Sequence, residues 1–306
     1  MRLPLKVLVP VGLALVALFI VGVVTGPLGS KYFPWESFMP EPEVHLPAEP
    51  VFPDREHLQP VSLSADNWAI TNTMLASWIT MVILIGFFYA ATRKLKVVPG
   101  RFQALAETIV EMLLSFVQVT VGKERSRAVF PLVATIFTLV LLNAWLGMLP
   151  LYSAIGFLDE KGHLAGTLLR NANTDINQPL AIAIIAVITV EYWGIRHIGA
   201  LRYLGQFFNF KNLLKGRPLG LIDLFIGMLE LLSHLIRILS FTFRLFGNMT
   251  AGEVLLLIVA FLVPFMLAVP FYGLELLIGF MQALIFAGLT LAFGVTAMTP
   301  HEEEHS

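Results

Sequence analysis

Apolar residues run along this chain in blocks about as long as a bilayer is thick, and polar residues gather between the blocks. A membrane helix needs roughly 20 apolar residues. Residues 7–24, "VLVPVGLALVALFIVGVV", form the first block. Arg2 and Lys6 precede it, which fits an uncleaved N-terminal anchor or a signal-like helix. Residues 68–91, 130–151 and 179–195 supply three more spans. The final third predicts two long apolar helices, 221–261 and 271–298, with Pro264 and Pro270 marking the reversal between them.

Two stretches break this pattern. Residues 99–122, "PGRFQALAETIVEMLLSFVQVTVG", predict an amphipathic helix that starts at Pro99. Phe102, Leu105, Ile109, Met112 and Phe116 fall on one side, and Gln103, Glu107, Glu111 and Gln118 on the other. Such a helix lies along the interface or packs on the bundle. Residues 29–66 hold Pro34, Pro40, Pro42, Pro47, Pro50, Pro53 and Pro60 among many acidic groups. Helices and sheets tolerate little proline, so an extended extramembrane loop is expected there. The organisation expected is therefore an anchor over 1–28, this loop over 29–66, a helical membrane domain over 67–298, and a solvated acidic tail over 299–306.

Composition agrees with the pattern. The chain has 306 residues, 57% hydrophobic and 13% charged, with a mean hydropathy of +0.79. A soluble domain is nearer 45–50% apolar and about 25% charged. The fold class expected is an all-α integral membrane protein. It has about six membrane helices, of which the last two are long, tilted and paired as a hairpin. There is no cysteine, which excludes disulfides, iron–sulfur clusters and thiol catalysis. Charge is segregated by loop. Seven Lys or Arg lie between Arg93 and Arg127, and five between Arg196 and Arg217. By the positive-inside rule both loops face the cytoplasm, and so do both termini if the first helix is retained. No internal repeat is evident, which weakens an inverted-repeat transporter.

Charges inside the last third are the exception to explain. A charged side chain at membrane depth costs a few kcal/mol even by lenient insertion scales. Glu230, Arg237 and Arg244 are spaced by seven residues and lie near one helix face. Asn248, four beyond Arg244, shares it. Glu253, nine beyond Arg244, is about half a turn round the helix and roughly 13.5 Å along it. Arg244 and Glu253 thus look like two separate sites on one helix. The last helix carries Glu275 and Gln282, again seven apart. A reversal near Pro264 brings Glu275 level with Glu253, Gln282 level with Arg244, and Gly279 level with Asn248. Gly247 and Gly252, and a seam of Gly279, Ala283 and Ala287, suit close helix packing. Two adjacent glutamates share or pass a proton, since desolvation and like charge raise one pKa. An arginine stays charged and forces a passing carboxylate to ionise. Together they suggest a proton path with a fixed cation that blocks a direct leak.

These residues carry a resemblance. "RLFGNMTAGE" resembles the signature of subunit a of the F-type ATP synthase membrane sector. "ELLSHLIRILSFTF" before it, "MQALIF" after it and "TDINQPLA" further upstream fit as well, so the resemblance covers about residues 66–298. It implies a stator subunit whose two tilted helices lie against a rotating ring of c subunits, with ions passing through two offset half-channels. By position, Arg244 resembles the essential arginine facing the ring. Glu253, Glu275, Gln282 and Asn248 resemble lining residues of the half-channel away from the cytoplasm, and Glu230 a cytoplasmic half-channel residue. The family carries His or Glu where Glu275 stands. Arg237, Asp175, Asn177 and Ser240 rank as weaker candidates, and His234 receives no role. The implied partners are the c ring, peripheral-stalk b subunits, the remaining synthase subunits and membrane lipid, with no nucleic acid and no cofactor. The implied location is the cell (inner) membrane.

Other readings fit less well. The terminal "HEEEHS" contains the HExxH letters of a metalloprotease, but follows Pro300 with no apolar support and no third ligand, so no metal is expected. No GxxxxGK[ST] loop is present, so nucleotide chemistry belongs to partners. A stand-alone channel or antiporter needs a complete pathway in one chain, and an intramembrane hydrolase needs a nucleophile or metal with a base in reach.

Overall fold

The computed structural model describes residues 5–32, 48, 50–52, 70–149, 152, 155–158, 164–199, 203, 219–264 and 266–298. Helix α1 spans Leu5–Thr25 and a single turn, α2, spans Pro27–Ser30. Strand β1, Pro50–Phe52, pairs antiparallel with β2, Ile70–Thr71. Then come α3 (Asn72–Thr92), α4 (Arg101–Val121) and α5 (Lys123–Gly147). A small antiparallel ladder follows, β3 (Gly156–Leu158) with β4 (Leu164–Thr167), and then a 3-10 turn at Ala172–Thr174. The chain continues with α6 (Asn177–Ile198), α7 (Leu219–Leu262) and α8 (Ala268–Met298). The acidic tail and most of the Pro-rich stretch lie outside the described residues.

The helix ends follow local chemistry. The Thr71 hydroxyl caps α3 by accepting the Met74 N–H at 3.3 Å. Gly122, at φ 84°, turns α4 into α5, and Gly199, at φ 94°, ends α6. A side chain rarely adopts that left-handed backbone, so glycine suits both junctions.

Helices α3 to α8 are each long and apolar enough to cross a membrane. Helix α7 has 44 residues and α8 has 31, or about 66 Å and about 46 Å of helix. A hydrocarbon core is about 30 Å thick, so neither fits upright within it. They run antiparallel as expected, joined by the residues between Leu262 and Ala268. Gly22 of α1 and Gly26 just after it abut the carbonyls of Pro264 and Leu262, which puts the C-terminal end of α1 at the turn of this hairpin.

The core is shared by α4 to α8. Val117, Val133, Val140, Ala183, Leu245, Ala283 and Leu291 are almost wholly inaccessible within it. Gly279 of α8 lies on Ala144 of α5, and Ala283 and Ala287 continue the buried seam. Gly247 differs from expectation: among the described residues, nothing lies within 4 Å of where a Cβ would stand on it.

Helix α4 packs on α5, α3 and α8, but with an unexpected face. Phe102 (71%), Leu105 (53%) and Met112 (51%) are exposed, while Gln103, Ala106, Leu113 and Val117 are buried. Helix α3 behaves alike: it buries Asn72, Thr73, Ala76, Ser77 and Thr80 and exposes Met74, Trp78 and Val82. Lipid is as apolar as leucine, so large apolar side chains gain nothing special by turning inward, and small residues take the helix interfaces.

Candidate functional site

Polar side chains gather at two places along α7, with Arg244 between them. The first cluster lies toward the hairpin turn. Glu275 on α8 is 4% exposed and sits directly on Gly252 of α7, where any Cβ would overlap its carboxyl group. Glycine at 252 is therefore what lets this acid be buried at the helix interface. Glu275 and Glu253 line one cavity of about 160 Å³, together with Tyr272, Asn171 and the end of α5 at Gly147 and Met148. The Glu253 carboxylate pairs with the Arg170 guanidinium at 3.3 Å. One turn back, the Asn248 amide donates to Gln282 Oε1 at 2.8 Å. Gln282 is itself 2% exposed, and its Nε2 is a buried donor with no protein acceptor among the described residues.

Arg244 comes next along α7. Its Nη2 lies 3.5 Å from Ser240 Oγ, one turn earlier. Leu239 and Phe243 nearby are 51% and 56% exposed, and Ser240, Gly247, Asn248 and Ala251 are exposed too. This side of α7 is left uncovered by the rest of the described chain.

The second cluster lies toward the other end of the hairpin. Glu191 on α6 contacts His234 Nδ1 through Oε1 and accepts from the Tyr203 hydroxyl on Oε2. Arg237 interacts electrostatically with Glu191, Tyr203 and Glu230. Its guanidinium carbon lies 3.8 Å from the centroid of the Phe293 ring on α8, a cation–π contact that holds it inward. Tyr203 stands outside the spans. Burial and the Glu191 carboxylate push its phenol well above the ordinary tyrosine range, so it remains a donor to Glu191.

The two weaker candidates at the start of α6, Asp175 just before it and Asn177 its first residue, do local work. Asp175 accepts from Thr73 Oγ1 at 2.7 Å and from the Asn177 backbone and side chain at 3.1 and 3.0 Å. Neither Asp175 nor Asn177 lines the cavity of Glu253 and Glu275. No group of three or more metal-ligating side chains is found among the described residues.

Residues 74–294 match the sequence model of the family described as ATP synthase A chain. The chain belongs to that family. Among similar proteins, the ATP synthase subunit a of Gloeobacter violaceus is 33% identical over 233 residues, covering 76% of this chain and 86% of that one. The subunit a of Geobacter sp. strain M21 is 30% identical over 216 residues, covering 71% and 81%. That of Aliarcobacter butzleri is 28% identical over 235 residues, covering 74% and 92%. Both clusters and Arg244 fall within the span matched by the ATP synthase A chain family.

The sequence singles out Arg244, Glu230, Arg237, Glu253, Glu275, Asn248 and Gln282 as candidates, because they interrupt apolar helices. It misses Arg170, Glu191 and Tyr203 and leaves His234 without a role. Arg170 lies 83 residues from its partner, in a loop whose return path no periodicity encodes. Glu191 carried the one available signal, an acid inside the apolar run of α6, next to a basic loop.

Proposed function

We propose that this chain is the stator subunit that carries protons across the membrane sector of the synthase, through two offset paths that meet beside Arg244. The supporting observation is the layout of α7: an acid–amide cluster toward the hairpin turn, a second charged cluster toward the basic loops, and Arg244 between them beside an uncovered face. Glu253, Glu275, Asn248 and Gln282 serve the path that opens away from the cytoplasm. Glu230 and, more weakly, Arg237 serve the cytoplasmic one. The uncovered side of α7 receives the c ring, and each ring carboxylate loses its proton as it passes Arg244, because an adjacent cation favours the ionised form. Arginine keeps its charge where lysine sheds it on desolvation, so no proton jumps from one path to the other.

In this reading the chain breaks no bonds itself, and ATP chemistry resides on partner subunits. It sits in the cell membrane beside the peripheral-stalk b subunits, with both basic loops and both termini in the cytoplasm. Residues 1–28 anchor it, 29–66 form an extramembrane loop, 67–298 form the conducting domain, and 299–306 form a solvated tail.

Arg244→Ala should abolish ATP-driven pumping and synthesis in a complex that still assembles. Arg244→Lys should fail nearly as badly, and Arg237→Ala should be milder. Normal coupled synthesis by Arg244→Ala membranes would overturn the assignment.

A further inference from the structure

The turn between α7 and α8 is met by an element that the two proton paths leave unused. Val263 and Pro264, at that turn, are buried. Gly22 of α1 lies against them: a Cβ on it would overlap the carbonyl oxygen of Pro264 and stand 3.3 Å from Val263 Cγ1. One turn on, a Cβ on Gly26 would stand 2.7 Å from the Leu262 carbonyl oxygen and 3.0 Å from Pro264 Cδ. The Gly26 N–H donates to the Gly22 carbonyl at 3.0 Å, so the two glycines belong to one helical turn and share one face. Both are buried. Helix α2, which follows directly, also touches α7. Helix α1 lies before residues 74–294, the part shared with the family.

Backbone chemistry explains why glycine stands at both places. Leu262 ends α7, and the last carbonyls of a helix have no partner within it. Pro264 has no N–H to give them. The Pro264 carbonyl accepts the Met266 N–H at 3.1 Å across the turn, and Gly22 lies against that same oxygen. On each glycine, the hydrogen in place of a side chain points at a carbonyl oxygen. Small residues permit this close approach between membrane helices. The rest of α1 differs. Val9, Leu13, Val16, Phe19 and Ile20 are exposed, and a Cβ on Gly12 would meet nothing within 4 Å. Among the described residues, α1 therefore docks through its C-terminal end. Its 21 residues make about 31 Å of helix, enough to cross a hydrocarbon core. Arg2 and Lys6 at its start place that start with the basic loops by the positive-inside rule, and so its end with the hairpin turn.

We propose that α1 is a retained part of the conducting domain, a cap whose Gly22–Gly26 notch seats the α7–α8 turn and holds the two acid-bearing legs of the hairpin in register. Gly22 and Gly26 are positioning residues. Glu253 lies nine residues before Leu262, and Glu275 seven residues after Ala268. Each acid is thus within about 14 Å of helix from the seated turn. The seat itself stands on packing; its effect on proton flux rests on the two-path reading.

The test uses the whole synthase with the full-length chain. The intact mass of this subunit, taken from the purified complex, should include α1; a subunit lacking α1 would overturn the proposal. Val263→Cys, buried beside Gly22, should react slowly with a small maleimide. Adding Gly22→Leu, which the notch has no room for, should speed that labelling several-fold. Gly12→Leu, on the exposed part of α1, should leave it unchanged. In a separate background, Gly22→Leu should also lower the linkage of Asn248→Cys to Gln282→Cys several-fold, and Gly12→Leu should not. In the chain without cysteines, Gly22→Leu should slow ATP-driven pumping and shift its dependence on pH at the face of the hairpin turn. Gly22→Ala already overlaps the Pro264 carbonyl and serves if the leucine variant assembles poorly; it should show the same pattern to a smaller degree. Unchanged labelling in an assembled variant would show that the turn stands without α1, and would overturn the proposal. Faster labelling with unchanged linkage would overturn it too, since the legs would keep their register undocked. If linkage falls while pumping holds, the assignment of the two acids to a proton path fails and the seat stands.

Discussion

At the scale of single residues, the two acids near the hairpin turn stand in different surroundings. Glu253 faces the Arg170 guanidinium, while Glu275 lies buried against a glycine at the helix interface. One is matched by a fixed charge, and the other is covered by protein on most sides. Yet they share a cavity, so a proton on one changes the cost of a proton on the other. Either Glu253→Gln or Glu275→Gln should slow proton-driven turnover and alter its pH dependence. The double variant should lose less than the two losses combined, with a coupling of about 0.5–3 kcal/mol as is usual for interacting sites. Arg170→Gln should slow turnover too, but add little in a Glu253→Gln background. Strictly additive effects on proton flux would assign the acids unrelated roles.

At the scale of elements, the hairpin register is the finding that most depends on the structure. Sequence spacing places Gly279 level with Asn248, from a reversal at Pro264. The turn instead runs from the end of α7 at Leu262 to the start of α8 at Ala268, so its centre lies a residue later. Gln282 meets Asn248, and Gly279 turns to Ala144 on α5. The chain has no cysteine, so introduced pairs report cleanly. With a short bifunctional thiol reagent, Asn248→Cys should link to Gln282→Cys in preference to Gly279→Cys, and not to Leu267→Cys. Preferential linkage to Gly279→Cys would restore the register read from spacing. Helix α4 gives a parallel test of facing. Met112→Cys should react with a lipid-soluble thiol probe in intact membranes and Val117→Cys should not; the reverse would turn the helix over. These cases mark what sequence made legible. Apolar length located the helices, and isolated charges singled out α7 and α8 as the candidate pair. Facing was not legible, because a lipid-exposed surface is as apolar as a core. Long-range partners such as Arg170 and Glu191 were not legible either, because a contact between distant segments leaves no local period.

At the scale of the whole molecule, the fold serves to keep two polar clusters apart on one continuous helix. His234 and Glu253 are 19 residues apart on α7, about 28 Å of helix and close to the thickness of the hydrocarbon core. Helix α6 and Tyr203 complete one cluster. The segment carrying Arg170 and the end of α5 complete the other. Neither cluster forms without a partner element, so Arg170 and Tyr203, which lie outside the long helices, matter to the site as much as α7 itself. The uncovered side of α7 leaves Arg244 between them, open to a partner.

The most direct measurement is the sidedness of water access along α7. Single cysteines at Glu253 and at Glu230 would be exposed to a membrane-impermeant thiol reagent from one face of sealed vesicles at a time, and modification read by mass. Glu253→Cys should be modified only from the face nearest the hairpin turn, and Glu230→Cys only from the face carrying the basic loops. Modification of either cysteine from both faces, or of both from the same face, would contradict two separate paths meeting at Arg244.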